Sequence, residues 1–324
     1  MTAPGVFWRS RPGQRKRLDV GVGGGRRMNE VLVRDGLTEI NGLRLAWQEW
    51  VGGDARPPVL LIHGLGSSKR VWDLVGPILG RERRVIALDQ RGHGESDKRD
   101  DGYDIEQIVR DDRALAEALG LRLPVVVGHS WGADVALAYA SLFPYGVSAV
   151  VLVDGGVVDM RSLSDASWAD IEHDLQSPDV SGLSRDEFLA RTRSRRDLPW
   201  RPELDEIALS TVCVREDGAI SPRLTHESQR KILRSVREYR PADYFEAVAC
   251  PVTIVLADNS TADERARAFL ALKQQGADAA LMGLRRSPDR RVVWFSETAH
   301  NIPVHRPEAL TAEIEMTIAT LDDE

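Results

Sequence analysis

Four short, unbroken apolar runs constrain the fold most strongly. "PPVLLIHG", "RRVIALDQRG", "LPVVVGHS" and "VSAVVLVDGG" follow one another between residues 57 and 156, each opening or closing on Pro, Gly or charge. A strand with one wet face alternates apolar and polar residues, whereas a strand covered on both faces reads as a continuous Val/Ile/Leu run. Helical patterns near Val71–Leu79, Ile105–Leu119 and Ala133–Phe143 separate the runs. Buried strands joined by helical crossovers give an α/β fold with a doubly wound, mostly parallel sheet. Upstream, "LTEINGLRLAWQEW" alternates around Asn41-Gly42, which marks a hairpin.

The alternation stops after residue 156. Residues 157–246 hold charged helix formers such as "SRDEFLARTRSRRD" and "THESQRKILRSVREY", with no convincing buried strand. The sheet pattern resumes at "CPVTIVLADNS" and "RRVVWFSETAH", and "PEALTAEIEMTIATL" closes the chain as an amphipathic helix. The expected division is therefore a disordered tail over 1–34, a core of 35–156 plus 247–324, and an inserted helical cap at 157–246.

Composition excludes several functions. The 324-residue chain has a net charge of -7, which gives nucleic acid no footing. Cys213 and Cys250 have no metal-like spacing and are expected to be buried small hydrophobes. No run approaches the ~20 apolar residues of a membrane helix. The Arg- and Gly-rich start, "RSRPGQRKRLDVGVGGGRR", lacks the apolar stretch of a signal peptide. Its "GVGGG" has no strand before it and no helix after it, as a phosphate loop would need. A cytoplasmic protein with a small-molecule substrate, and with no metal or cofactor, is expected. The oligomeric state is left open.

Gly128-His129-Ser130-Trp131-Gly132 fits G-x-S-x-G where a strand must become a helix. So tight a turn strains its central residue, and side chains two places away would collide, so glycine is needed on both flanks. The serine hydroxyl is left exposed over a helix N-terminus. A serine nucleophile needs a base, and the base needs an orienting acid. His300 follows the final strand run and is the expected base, ahead of His305 in the same loop. His129 is expected to point into the turn, while His173 and His226 fall in the insert. Asp258, ending "VTIVLAD", is the expected acid, with Asp154 in "VVLVDGG" as its rival and Asp263 behind both. His63-Gly64-Leu65-Gly66 makes an H-G-x-G turn, and the amides of Leu65 and Trp131 are the expected oxyanion donors. Asp89 and Arg91 in "DQRGHGES" are expected to pair locally.

These motifs, in this order over residues 35 to 320, resemble the α/β-hydrolase superfamily and its capped members. The resemblance implies an eight-stranded sheet, a helical cap after the sixth strand, and catalytic residues at the positions above. Haloalkane dehalogenases and epoxide hydrolases of that fold use an aspartate nucleophile, which Ser130 excludes, while S-W-G is similar to proline iminopeptidases. Trp168, Phe188, Trp200, Tyr239, Tyr244 and Phe245 could line a pocket or join cap helices. The cluster Arg191, Arg193, Arg195, Arg196 and Arg201 reads as a solvated face or a carboxylate site. The favoured activity is hydrolysis of a carboxylic ester with a small or medium apolar acyl group through an acyl-enzyme. Alternatives are an iminopeptidase, a carbon–carbon bond hydrolase, a cofactor-free perhydrolase, or, in a different class, a ligand-binding receptor or inactive scaffold.

Overall fold

Strands form wherever the sequence runs continuously apolar, and the sheet they build sets the position of everything else. The computed structural model describes residues 21–22, 26–28, 31–162, 165–176, 179–194, 200–259 and 264–321. Two short strands, β1 (Gly21–Val22) and β2 (Arg26–Met28), precede β3 (Val31–Ile40) and β4 (Leu43–Val51). Next come β5 (Ala55–Ile62), helix α1 (Gly76–Leu79), β6 (Arg83–Leu88), α2 (Ile105–Ala118), β7 (Val125–His129), α3 (Trp131–Leu142) and β8 (Ala149–Val153). The intervening stretch holds α4 (Asp165–Leu175), α5 (Arg185–Arg193), α6 (Glu203–Leu209), β9 (Val212–Val214), β10 (Ile220–Pro222), α7 (His226–Glu238) and α8 (Ala242–Phe245). The sheet then resumes with β11 (Val252–Asp258), α9 (Glu264–Gly283), β12 (Arg290–Ser296), α10 (Ile302–His305) and α11 (Pro307–Ala319).

The main sheet runs β1-β3-β4-β6-β5-β7-β8-β11-β12, with β2 also on β3. Its eight long strands are mostly parallel: β3, β4 and β6 pair antiparallel, and every pairing from β6 to β12 is parallel. Asn41 (φ 53) and Gly42 (φ 75) turn the β3–β4 hairpin as a two-residue loop with both residues left-handed. β7 and β8 are buried along their whole length, as the unbroken apolar runs require. One apolar core packs α2 and α3 against the sheet, and a second packs α11 against its other face.

Strand order reverses around β5, which has β6 on one side and β7 on the other. Open α/β sheets bind ligands beyond the carboxyl ends of their strands at such a reversal. Two expectations need correction, and one helix has no counterpart in the sequence reading. The tail expected to run through residue 34 falls on residues 1–20 outside the described set, but β3 begins at Val31, and 21–22 and 26–28 pair with it. The insert carries the antiparallel β9–β10 hairpin, whose three-residue strands are too short to show a period. Helix α9 fills 264–283 with its apolar residues spread around it rather than in one stripe, so periodicity does not reveal it.

Candidate active site

Ser130 sits between β7 and α3 with φ 56 and ψ -125, outside the regions a residue with a side chain prefers. The flanking glycines make this turn possible. A Cβ on Gly128 would lie 2.0 Å from the Gly132 carbonyl oxygen, and one on Gly132 would lie 2.5 Å from the carbonyl oxygens of Ile62 and His63. The turn is pinned from β8, where the Val153 carbonyl accepts from the Ser130 amide at 2.8 Å.

His300 hangs over this turn from the loop after β12. Its Nε2 is 2.9 Å from Ser130 Oγ, and its Nδ1 is 2.6 Å from Asp154 Oδ2. Both imidazole nitrogens are thereby engaged, and the acid on Nδ1 is Asp154. Asp258, the expected acid, lies one strand further out at the tip of β11, where its backbone carbonyl accepts from Thr298. The other rival, Asp263, lies outside the described residues. Asp154 reaches the ring because it follows β8, the strand that also ties down Ser130. Its left-handed backbone (φ 48), which Asp tolerates better than most residues, turns the carboxylate toward the crevice. The sequence carried a signal for this: Asp154 is followed by Gly155-Gly156, and a Cβ on Gly155 would lie 2.2 Å from the Ser130 carbonyl oxygen.

Asp154 is fully removed from water and heavily bonded. Oδ1 accepts from the Ala257 amide at 2.8 Å and from Lys273 Nζ at 2.7 Å, and Oδ2 takes a second contact from Lys273 at 3.0 Å. Burial alone would raise its pKa, but the hydrogen bond and charge of His300, with Lys273, outweigh that and hold it at about 2. His129 donates from Nε2 to the His300 carbonyl at 2.9 Å. Burial, helped by the neighbouring His300, keeps it neutral, with a pKa lowered to about 3. His305 Nδ1 accepts from the Ala299 amide, so it braces the loop rather than facing Ser130.

The H-G-x-G turn packs directly against Ser130, since a Cβ on Gly64 would lie 2.9 Å from Ser130 Cβ. His63 Nε2 accepts from Gln90 N at 3.1 Å, and Gly66 N donates to His93 Nε2 at 3.2 Å. His93 in turn stacks on Trp131, ring centres 5.5 Å apart. Leu65 and Trp131 both border the space above Ser130, and the Trp131 amide, first in α3, has no intrahelical acceptor. Asp89 and Arg91 do not pair as expected: Asp89 binds Lys69 at 2.8 Å and Arg91 binds Asp111. Those bridges fix the loop beneath the turn.

A cavity of about 440 Å³ opens over Ser130. Leu65 and Trp131 form part of its wall, Val158, Met160, Leu175, Val236 and Tyr239 come from the insert, and Phe269, Leu270 and Lys273 come from α9. Of the six aromatic candidates in the insert, Tyr239 alone borders this cavity. Phe188 packs with Val180, Leu189, Val212 and Ile220, while Trp168, Tyr244 and Phe245 join the main core. Trp200 is exposed and donates to Asp205. Arg193 pairs with Asp205 on the outer face, and Arg195 and Arg196 lie outside the described residues. Sequence reasoning missed Lys273 and Asp134. Asp134 stands four residues after Ser130 on the cavity wall and accepts from the Gly156 amide at 3.0 Å. Loss of water pushes its pKa up to about 8, the Gly156 bond pulling the other way.

The described residues contain no cluster of three or more metal-ligating side chains, and no helix long and apolar enough to cross a membrane. Both cysteines are free thiols, Cys250 buried and Cys213 only partly so.

A family model for the alpha/beta hydrolase fold matches residues 57–302. The chain is 38% identical over 115 residues to the dihydrolipoyllysine-residue acetyltransferase component of an acetoin cleaving system from Pseudomonas putida, covering 36% of this chain and 31% of that protein. It is 32% identical over 120 residues to a proline iminopeptidase from Heyndrickxia coagulans, covering 36% and 41% respectively. The match thus spans less than half the length of either relative. Among solved structures, E-2-(acetamidomethylene)succinate hydrolase superposes with a TM-score of 0.71 at 23% identity, over 88% of this chain and 98% of that one. At that identity the likeness concerns the fold.

Proposed function

The chain belongs to the alpha/beta hydrolase family, and from that premise we propose that it is a serine hydrolase acting on a small-molecule ester with a small or medium apolar acyl group. The observation that carries this reading is the hydrogen-bonded line from Ser130 Oγ through His300 to Asp154, opening onto a largely apolar cavity.

The chemistry follows from the geometry. His300 Nε2 takes the hydroxyl proton as Ser130 Oγ attacks the carbonyl carbon, and Asp154 stabilises the imidazolium through Nδ1. The amides of Leu65 and Trp131 receive the oxyanion, a contribution of about 2.7–4 kcal/mol per donor in related chemistry. His300 then gives its proton to the leaving alcohol, leaving the acyl group on Ser130. Water entering past the half-exposed imidazole is deprotonated by His300 and releases the acid, restoring the serine. The residues at 157–246 act in this reading as a cap that closes the acyl pocket.

The test is hydrolysis of p-nitrophenyl esters from acetate to decanoate, with Ser130→Ala in parallel. Turnover that disappears in the variant supports the reading. A folded protein that hydrolyses none of them, nor matching amides, and resists a fluorophosphonate at Ser130 would instead be a binding protein on this fold.

A further inference from the structure

We propose that Lys273 is a positioning residue of the catalytic machinery, setting the pH range in which the Asp154–His300 pair can accept the serine proton. The proposal rests on the serine-hydrolase reading above and concerns a residue on α9, outside every motif recognised in the sequence.

Lys273 is buried, and its Nζ touches both oxygens of Asp154, at 2.7 and 3.0 Å, as well as the Ala257 carbonyl at 2.9 Å. The second of those oxygens, Oδ2, also accepts from His300 Nδ1 at 2.6 Å. One carboxylate oxygen is thus shared by an ammonium and an imidazole, placing the two nitrogens within about 6 Å of each other by their common contact. In an isolated Asp–His pair the carboxylate's whole charge is available to the imidazolium that forms during attack. Here part of it is already committed to Lys273, and the ammonium repels the incoming proton.

Other groups around the pair do not substitute for this charge. The His129 ring lies 5.0 Å from that of His300 and is neutral. Asp134 stands on the cavity wall, Asp258 ends β11, and His305 is turned to the Ala299 amide. Phe269, one turn before Lys273 on α9, has its ring centre 5.6 Å from Nζ. A fixed cation in this position makes the pair as a whole harder to protonate, whichever of the two members takes the proton. The consequence is a pair that passes the serine's proton on readily to the leaving group.

The experiment is the pH profile of kcat/KM for the full chain and for Lys273→Met, Lys273→Gln and Lys273→Arg, with melting curves and Ser130→Ala alongside. Loss of the positive charge should move the acid limb upward by about one to two pH units, the size expected for a unit charge near 6 Å in a partly wet site. Arg, which keeps the charge, should hold the limb within about half a unit of the parent. Lys273→Gln keeps a donor toward Asp154 and is read in place of Met if the latter does not fold. Equal loss of rate at every pH, with the limb unmoved, would overturn the proposal, as would failure of both neutral variants to fold, since Lys273 would then be structural. Retention of turnover by Ser130→Ala would instead defeat the hydrolase reading itself.

Discussion

Asp154 and Asp134 border the same cavity, yet their surroundings drive them in opposite directions. Asp154 has an ammonium, an imidazole and an amide on its oxygens and stays ionised to about pH 2. Asp134 has one amide and little water, and its pKa rises to about 8. Asp154→Asn is therefore expected to lower kcat by about 10³–10⁴-fold, the scale seen when a triad acid loses its charge, while Asp258→Asn stays within a few-fold of the parent. Equal losses in the two variants, with both folded, would return the acid role to Asp258. Asp134 makes a prediction about stability. The folded chain holds a proton that the unfolded chain releases above about pH 4, so folding weakens as pH rises from there toward 8 and is level beyond. Asp134→Asn should match the parent near pH 4 and gain on it by up to about 1.4 kcal/mol per pH unit between there and pH 8. Urea midpoints at the two pH values decide this, and parallel behaviour of parent and variant would show Asp134 to be ionised throughout. At this scale the meeting of Ser130 and His300 was legible, because the turn under Ser130 requires flanking glycines and His300 follows the final strand run. The choice between Asp154 and Asp258 was not legible from strand tips alone, since both end buried apolar runs. His300 meets Asp154 because β8 is the strand bonded to the Ser130 turn.

Elements were legible in proportion to their burial. The strands β5, β6, β7, β8 and β11 announce themselves by composition, and α2 and α3 begin within two residues of the expected positions. Elements whose side chains look both ways did not: α9 spreads its apolar residues around its axis, and β9 and β10 have three residues each. The missed helix matters, because it supplies Phe269, Leu270 and Lys273 to the cavity. The strand–turn–helix unit around Ser130 can be tested as an element. Gly132→Ala sets a Cβ against two carbonyl oxygens of the β5 end and must push α3 away from the sheet. A stability loss of about 1–3 kcal/mol is expected from such overpacking, with a further fall in kcat of about 10- to 100-fold because the nucleophile moves. A Gly132→Ala protein with the parent's melting temperature and turnover would contradict this account of the turn.

At the scale of the molecule, the fold brings together residues far apart in the chain, among them His129 and His300, which are 171 positions apart. The segment between β8 and β11 adds only part of the cavity wall, the rest coming from the sheet edge and α9. Acyl selectivity should accordingly respond to substitutions outside the insert. With a cavity of about 440 Å³, turnover should peak at acyl chains of about four to eight carbons. Phe269→Ala should lengthen that optimum by about two carbons by opening the α9 side. A chain-length profile unchanged by Phe269→Ala but shifted by Tyr239→Ala would assign selection to the insert alone. Substrate identity was the least legible property in the sequence, because it depends on side chains from separate elements that meet only after folding.

The central claim is that Ser130 is a nucleophile activated by His300 and Asp154, and covalent labelling tests it most directly. Intact-mass analysis after fluorophosphonate treatment, followed by peptide mapping, should find one adduct per chain, on Ser130, formed much more slowly in Asp154→Asn and absent in Ser130→Ala. A folded parent protein that gains no adduct, or carries it on another residue, would contradict the account.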